Sequence, residues 1–206
     1  MKLFLSSFRL GNDPHKLSGL FSINKKIAVI ANAVDHATTE ERSERVIYEM
    51  NALRSIGLEP EELDLREYFF DNSALTSDVS KFDGVWLRGG NSFVLRKAMA
   101  YSGFDAYIQK MKTNPDFVYA GYSAGVCVCG PTLHGVELCD DPQALPINYQ
   151  PEIIWDGLEL ISYSIAPHYR SDHPESALIE QVVEYYQQNH IPYVPLADGE
   201  FITMSV

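Results

Sequence analysis

The residues best suited to chemistry lie in Gly121-Tyr122-Ser123-Ala124-Gly125, which follows the apolar run Phe117-Val-Tyr-Ala120. This is the G-x-S-x-G pattern of a nucleophile elbow. A serine on a sharp strand-to-helix turn projects its hydroxyl clear of its neighbours. Glycines flank it because a Cβ at either site would crowd the adjoining strand and helix. The amide of Ala124 would point at an oxyanion forming near Ser123. A serine also needs a base to take its proton, and histidine is the usual one. Of six histidines, only His168 directly follows a strand-like run and a proline (Ala166-Pro167-His168). His36 and His190 read as solvated helix-end residues, His15 lies in an early loop, His134 lies near the cysteines, and His173 is a second candidate for the site. An acid to orient the base is not selected by spacing, because such triads occur in several chain orders. Glu137, Asp140, Asp141, Asp156, Asp172, Asp198 and Glu200 all stay open. Gly89-Gly90 ends another strand and reads, taken alone, as a tight turn.

The elements that must position these groups follow from periodicity. Lys2–Ser7, Lys26–Asn32, Glu61–Leu65, Gly84–Arg88, the run from Phe117 to Ala120, Glu159–Ala166, Tyr193–Leu196 and Phe201–Val206 read as strands. The run Ile27-Ala-Val-Ile30 is continuously apolar, as in a sheet covered on both faces. Thr38 and Glu41 have capping-box spacing and open a helix that Gly57 closes. Phe93–Met99, Phe104–Met111 and Pro174–Asn189 read as further helices, and residues 8–24 as a long loop bordering the site. Strands alternating with helices predict a three-layer α/β fold, a mostly parallel sheet with helices on both faces. In such a sheet ligands bind beyond the carboxyl ends of the strands, where Gly90, Ser123 and His168 are all expected.

Composition narrows the function classes. The 206 residues fit one domain spanning 1–206, with an ordinary apolar content of 46%. A formal net charge of -12 disfavours nucleic acid as a partner. No apolar run approaches the ~20 residues of a membrane span, and no targeting signal is read, so the expectation is a cytoplasmic protein without a membrane partner. Cys127, Cys129 and Cys139 are odd in number, and with His134 they form only a nominal zinc set. Free buried thiols are expected, with no metal and no cofactor.

Four motifs in order, Gly89-Gly-Asn-Ser-Phe93, Gly121-Tyr-Ser-Ala-Gly125, Ala166-Pro-His-Tyr169 and Leu196-Ala-Asp-Gly199, resemble peptidase family S51. That family holds the aspartyl dipeptidase (peptidase E) and cyanophycinase, with a fold similar to class I glutamine amidotransferases, which is flavodoxin-like. The resemblance covers nearly the whole chain. It implies a serine peptidase acting on short peptides with an N-terminal aspartate through an acyl-enzyme. Ser123 would be the nucleophile, His168 the general base, and the amides of Gly90 and Ala124 the oxyanion hole. The family's acid is a glutamate before a late glycine; here Asp198 stands there, one methylene shorter, with Glu200 or the Glu137–Asp141 acids as alternatives. An acidic substrate side chain implies a nearby guanidinium. Arg170 and Arg88 are the candidates, with Asn91 beside them as a further substrate-binding residue. Other hydrolases on the same fold and a binding domain that retains the elbow are the competing readings. Monomer and homodimer are equally expected. The chain ends at Val206, earlier than expected for the dipeptidase, so a closing hairpin is not expected.

Overall fold

The structure, a computed structural model, describes residues 1–22 and 24–206. Residue 23 of the early loop lies outside the described residues. The described residues form eight strands: β1 (Lys2–Ser6), β2 (Lys26–Ile30), β3 (Glu59–Glu62), β4 (Gly84–Leu87), β5 (Val118–Tyr122), β6 (Ser164–Ala166), β7 (Tyr193–Pro195) and β8 (Phe201–Ser205). Among the same described residues, seven α-helices accompany them: α1 (His15–Ser18), α2 (Thr39–Ser55), α3 (Leu75–Val79), α4 (Ser92–Ser102), α5 (Phe104–Met111), α6 (Ala124–Cys127) and α7 (Ser176–Gln188).

Six strands form one sheet in the order β3-β2-β4-β5-β1-β8. All neighbours are parallel except β8, which runs antiparallel to β1. Burial on both faces is visible in the alternation of side chains. Phe4, Ile27, Val29, Trp86, Val118 and Ala120 pack with Leu53 and Ile56 at the end of α2. Leu3, Leu5, Ala28, Ile30, Val85, Leu87 and Tyr119 pack on the other face with residues of α3, α4 and α5. The architecture is the expected three-layer α/β fold, because strands apolar at every position must be covered twice. No helix among the described residues is long and apolar enough to cross a membrane.

Local signals set several boundaries. Thr38 caps α2 with both bonds of a capping box: Thr38 Oγ1 accepts from the Glu41 amide, and Glu41 accepts from the Thr38 amide. Gly57 follows that helix at φ 82°.

Three expectations shift. The strand expected over Glu159–Ala166 is only Ser164–Ala166. Residues 158–161 instead bond to the carbonyls of Val128, Cys129 and Gly130, with Glu159 at φ 48°. The strand expected at Glu61–Leu65 lies two residues earlier, and a 3-10 turn takes Leu65–Tyr68. Strands β6 and β7 pair with each other in a separate two-stranded parallel sheet packed on α7. His168 therefore leaves a small accessory sheet rather than the central one.

Candidate active site

The site forms where β1, β4 and β5 end. Ser123 directly follows β5, at φ 50° and ψ -115°, and α6 starts at the next residue. A non-glycine residue pays for that backbone angle, so its surroundings must hold it there. The flanking glycines explain why the turn can be so close. A Cβ on Gly121 would lie 2.8 Å from the carbonyl oxygen of Leu87 in β4, and one on Gly125 would press into the same oxygen. The elbow thus sits directly against the neighbouring central strand.

His168 is held by the β6–β7 pairing. The Leu196 amide donates to Ala166 O at 2.9 Å, and the Tyr169 amide donates to Leu196 O at 3.0 Å. These bonds bring the turn after β7 against the histidine. His168 Nδ1 lies 2.7 Å from Asp198 Oδ1. The imidazole is almost wholly buried and Asp198 partly so, with side chains 2% and 22% exposed. Burial lowers the His168 pKa below its usual 6.5; Asp198 raises it in part, and the neighbouring His173 lowers it. The imidazole is therefore neutral at neutral pH. With Nδ1 facing a carboxylate, the Nδ1–H tautomer is favoured and Nε2 is left as the acceptor.

Ser123, His168, Gly89, Gly90 and Arg88 line one cavity of about 410 Å³. No backbone acceptor among the described residues takes the amide of Gly90 or of Ala124. Gly90 has φ 145°, and a Cβ there would lie 2.6 Å from Ala33 O, so only glycine brings that amide to the cavity.

Four of the six other acids are committed elsewhere. Asp140 Oδ2 accepts from the Ser92 amide at 2.8 Å, and its burial raises its pKa to about 6. Asp141 accepts from the Gln143 amide, Glu137 from the Gly135 amide, and Glu200 from the Ala197 amide. Of the acids left open by spacing, Asp198 is the one on the imidazole. The carbonyl of Asp156 takes Arg96 Nε, and Asp172 is exposed.

The substrate-binding expectations separate. Arg88 lines the cavity, with its Nε 3.4 Å from Glu49 Oε1. Asn91 serves the fold: its Oδ1 accepts from the Val94 amide to cap α4, and its Nδ2 donates to Asp141 O. Arg170, at φ 50°, lies exposed over the Tyr169 ring, 5.0 Å from its centroid, and does not line the cavity.

Sequence reasoning missed Arg9 and Arg45, which do line it. Arg9 donates to Tyr48 Oη and lies over the Phe8 and Tyr48 rings. Arg45 has no ion-pair or hydrogen-bond partner among the described residues. Helical spacing on α2 shows which residues are buried, but not that the polar Arg45 and Tyr48 face a site. His173, expected as a second candidate, stacks on His168 with ring centroids 3.7 Å apart and planes 6° apart.

His168, His173 and Asp198 each offer a ligand atom, all within 4.8 Å of one another. Parallel stacked imidazoles present their nitrogens side by side rather than converging on one ion, so this set suits a hydrogen-bonded pair better than a metal. The nominal zinc residues do not converge either. Cys127 and Cys129 are buried with pKa values pushed up, Cys129 to about 12, and His134 stacks on Trp155.

A family model described as peptidase family S51 matches residues 16–205. The chain belongs to peptidase family S51. An uncharacterized peptidase of Listeria monocytogenes is 28% identical over 166 residues, covering 81% of this chain and 77% of that protein. A Drosophila melanogaster protein named a probable alpha-aspartyl dipeptidase is 25% identical over 120 residues, 56% of this chain and 47% of its own length. The crystal structure of a candidate peptidase E from Listeria monocytogenes superposes with a TM-score of 0.74 at 28% identity, covering 100% of this chain and 98% of that one. A peptidase from an acI-B1 actinobacterium shares the fold, with a TM-score of 0.65 at 12% identity and coverage of 99% and 83%. A peptidase role for this S51 chain rests on these likenesses.

Proposed function

We propose that this S51 member is a serine peptidase that cleaves short peptides with an acidic first residue. The observation that carries the reading is the 2.7 Å contact between His168 Nδ1 and Asp198, with His168 and Ser123 on the wall of one cavity. Ser123 Oγ attacks the scissile carbonyl and passes its proton to His168 Nε2. The amides of Gly90 and Ala124 receive the oxyanion. The imidazolium, stabilised by Asp198, then protonates the leaving amine and an acyl-enzyme remains on Ser123. Water attacks the acyl carbon as His168 takes its proton, the bond to Ser123 Oγ breaks, His168 returns the proton to that oxygen, and the acid product leaves.

The acidic specificity rests on the guanidinium groups of the lining. Arg9, Arg45 and Arg88 line the cavity together with Glu44, Glu49 and Glu175, and Glu49 faces Arg88. A guanidinium binds a carboxylate through two parallel bonds. Arg45, without a partner of its own among the described residues, is the one most available. A cavity of about 410 Å³ accommodates a dipeptide.

The test is intact-mass labelling by a fluorophosphonate, comparing wild type with Ser123→Ala and His168→Ala, followed by turnover of Asp-X dipeptides. One adduct on wild type, lost in both variants, and cleavage of Asp-X ahead of Ala-X are expected. Unlabelled, folded wild type would overturn the serine mechanism. Equal cleavage of Ala-X would overturn the acidic specificity.

A further inference from the structure

Ser7 belongs to none of the four motifs, yet it is bonded to Ser123, His168 and Asp198. It directly follows β1 and is wholly buried, at 0% exposure. Its main-chain oxygen accepts from the amide of Ser123 at 3.2 Å. Its hydroxyl oxygen accepts from the amide of His168 at 2.8 Å. The same oxygen lies 2.9 Å from Asp198 Oδ1 and 3.1 Å from Leu196 O.

A serine hydroxyl has one proton and can accept two bonds. With the His168 amide as donor, that proton goes to one of two oxygens, and the carboxylate is both the nearer and the stronger acceptor. Asp198 Oδ1 is also the atom facing His168 Nδ1. One oxygen of Asp198 is thus fixed by two donors, from Ser7 and from the base it orients.

Two of the backbones Ser7 holds are strained. Ser123 stands at φ 50° and His168 at φ 61°. Side chains disfavour that region, and residues persist there only when surrounding bonds over-determine them. Ser123, His168 and Asp198 also arrive from three separate stretches of chain, two of them from outside the central sheet. Ser7 is the residue bonded to all three.

We propose that Ser7 is the positioning residue of this site. Resting on the serine-peptidase reading, its single hydroxyl holds the Asp198 carboxylate and the His168 backbone together, so that Nδ1 stays on Asp198 and Nε2 stays unprotonated. It touches no substrate. Alanine at this position would leave the buried His168 amide without its acceptor and Asp198 Oδ1 with one donor instead of two. A cysteine fills the space with a thiol, a weak donor and acceptor.

The experiment compares wild type, Ser7→Ala and Ser7→Cys, each checked for folding by circular dichroism and thermal melting. Two readouts are taken well below the melting temperature: the rate constant for fluorophosphonate labelling, and the low-field proton resonance of the His168 Nδ1–H. Folded Ser7→Ala is expected to label at least tenfold more slowly, with the resonance shifted or broadened away, and Ser7→Cys to fall between it and wild type. If Ser7→Ala does not fold, Ser7→Cys carries the same comparison. A folded variant that labels at the wild-type rate overturns the proposal. So does slower labelling with an unchanged resonance, because the loss would then come by another route than the His168–Asp198 pair. A wild type that fails to label overturns the serine reading and takes this proposal with it, so the two failures are told apart.

Discussion

Replacing Asp198 by asparagine isolates the contact on which the proposed chemistry depends. Asparagine has nearly the same shape, and the Asp198 amide would still donate to Ser171 Oγ at 2.7 Å, so the turn after β7 should survive. What changes is the proton on the imidazole. The carboxylate accepts from Nδ1–H at 2.7 Å and leaves Nε2 unprotonated, as the proposed proton transfer from Ser123 requires. An amide can turn its NH2 toward Nδ1 and favour the Nε2–H tautomer, which cannot take the serine's proton. In Ser-His-Asp enzymes this swap lowers turnover on the order of 10⁴-fold, about 5.5 kcal/mol of transition-state stabilisation. No neighbouring acid is placed to compensate. Glu200 is engaged with the Ala197 amide at 2.8 Å, and Glu175 Oε2 is 4.0 Å from Nε2, the wrong nitrogen. The assay is the rate of fluorophosphonate labelling together with Asp-X hydrolysis, with melting curves to show that the fold is kept. A loss of 10³-fold or more in both rates is expected, with little change in melting temperature. A folded Asp198→Asn within tenfold of wild type would refute the assigned role of Asp198 and reopen the other acids.

Three further outcomes follow from the surroundings. Because burial holds the His168 pKa below 6.5, the acid limb of kcat/KM should have its midpoint below pH 6.5; a midpoint at or above 7 would contradict the neutral buried base. The sign for stability is the same: the unfolded chain binds this proton more readily, so His168 makes the fold less stable as pH drops below about 6.5, until the folded-state pKa is passed. Beneath the cavity, buried Glu49 accepts from Trp86 Nε1 at 2.8 Å and Tyr122 Oη at 2.7 Å and faces Arg88. Glu49→Ala strands Trp86 Nε1 and Tyr122 Oη, leaves Arg88 with the Gly89 carbonyl, and should cost about 3–5 kcal/mol in urea unfolding followed by tryptophan fluorescence; a loss below 1 kcal/mol would show the network to be dispensable.

The sequence by itself determined whatever depends on neighbours in the chain. Gly121 and Gly125 flank Ser123 because a serine turned out at φ 50° needs bare backbone on both sides against Leu87. Thr38 and Glu41 began α2 through bonds three residues apart. The continuously apolar strands announced a sheet covered on both faces, since each buries both sets of side chains. Spacing left seven acids open and the motif resemblance pointed to Asp198, but its contact with the base is a matter of tertiary structure. Asp198 meets His168 only because β7 pairs with β6 in the register Ala166↔Pro195, a long-range fact that no spacing encodes. Asn91 looked polar and available, but a helix N-terminus took its oxygen. Arg170 stood two residues from the base, yet its φ of 50° leaves it over Tyr169 at the surface. Arg45 and Ser7 were unremarkable as letters. Which way a polar residue of α2 faces, and what surrounds the first residue after β1, are set by how whole elements pack, and only packing brings residues 7, 123, 168 and 198 together.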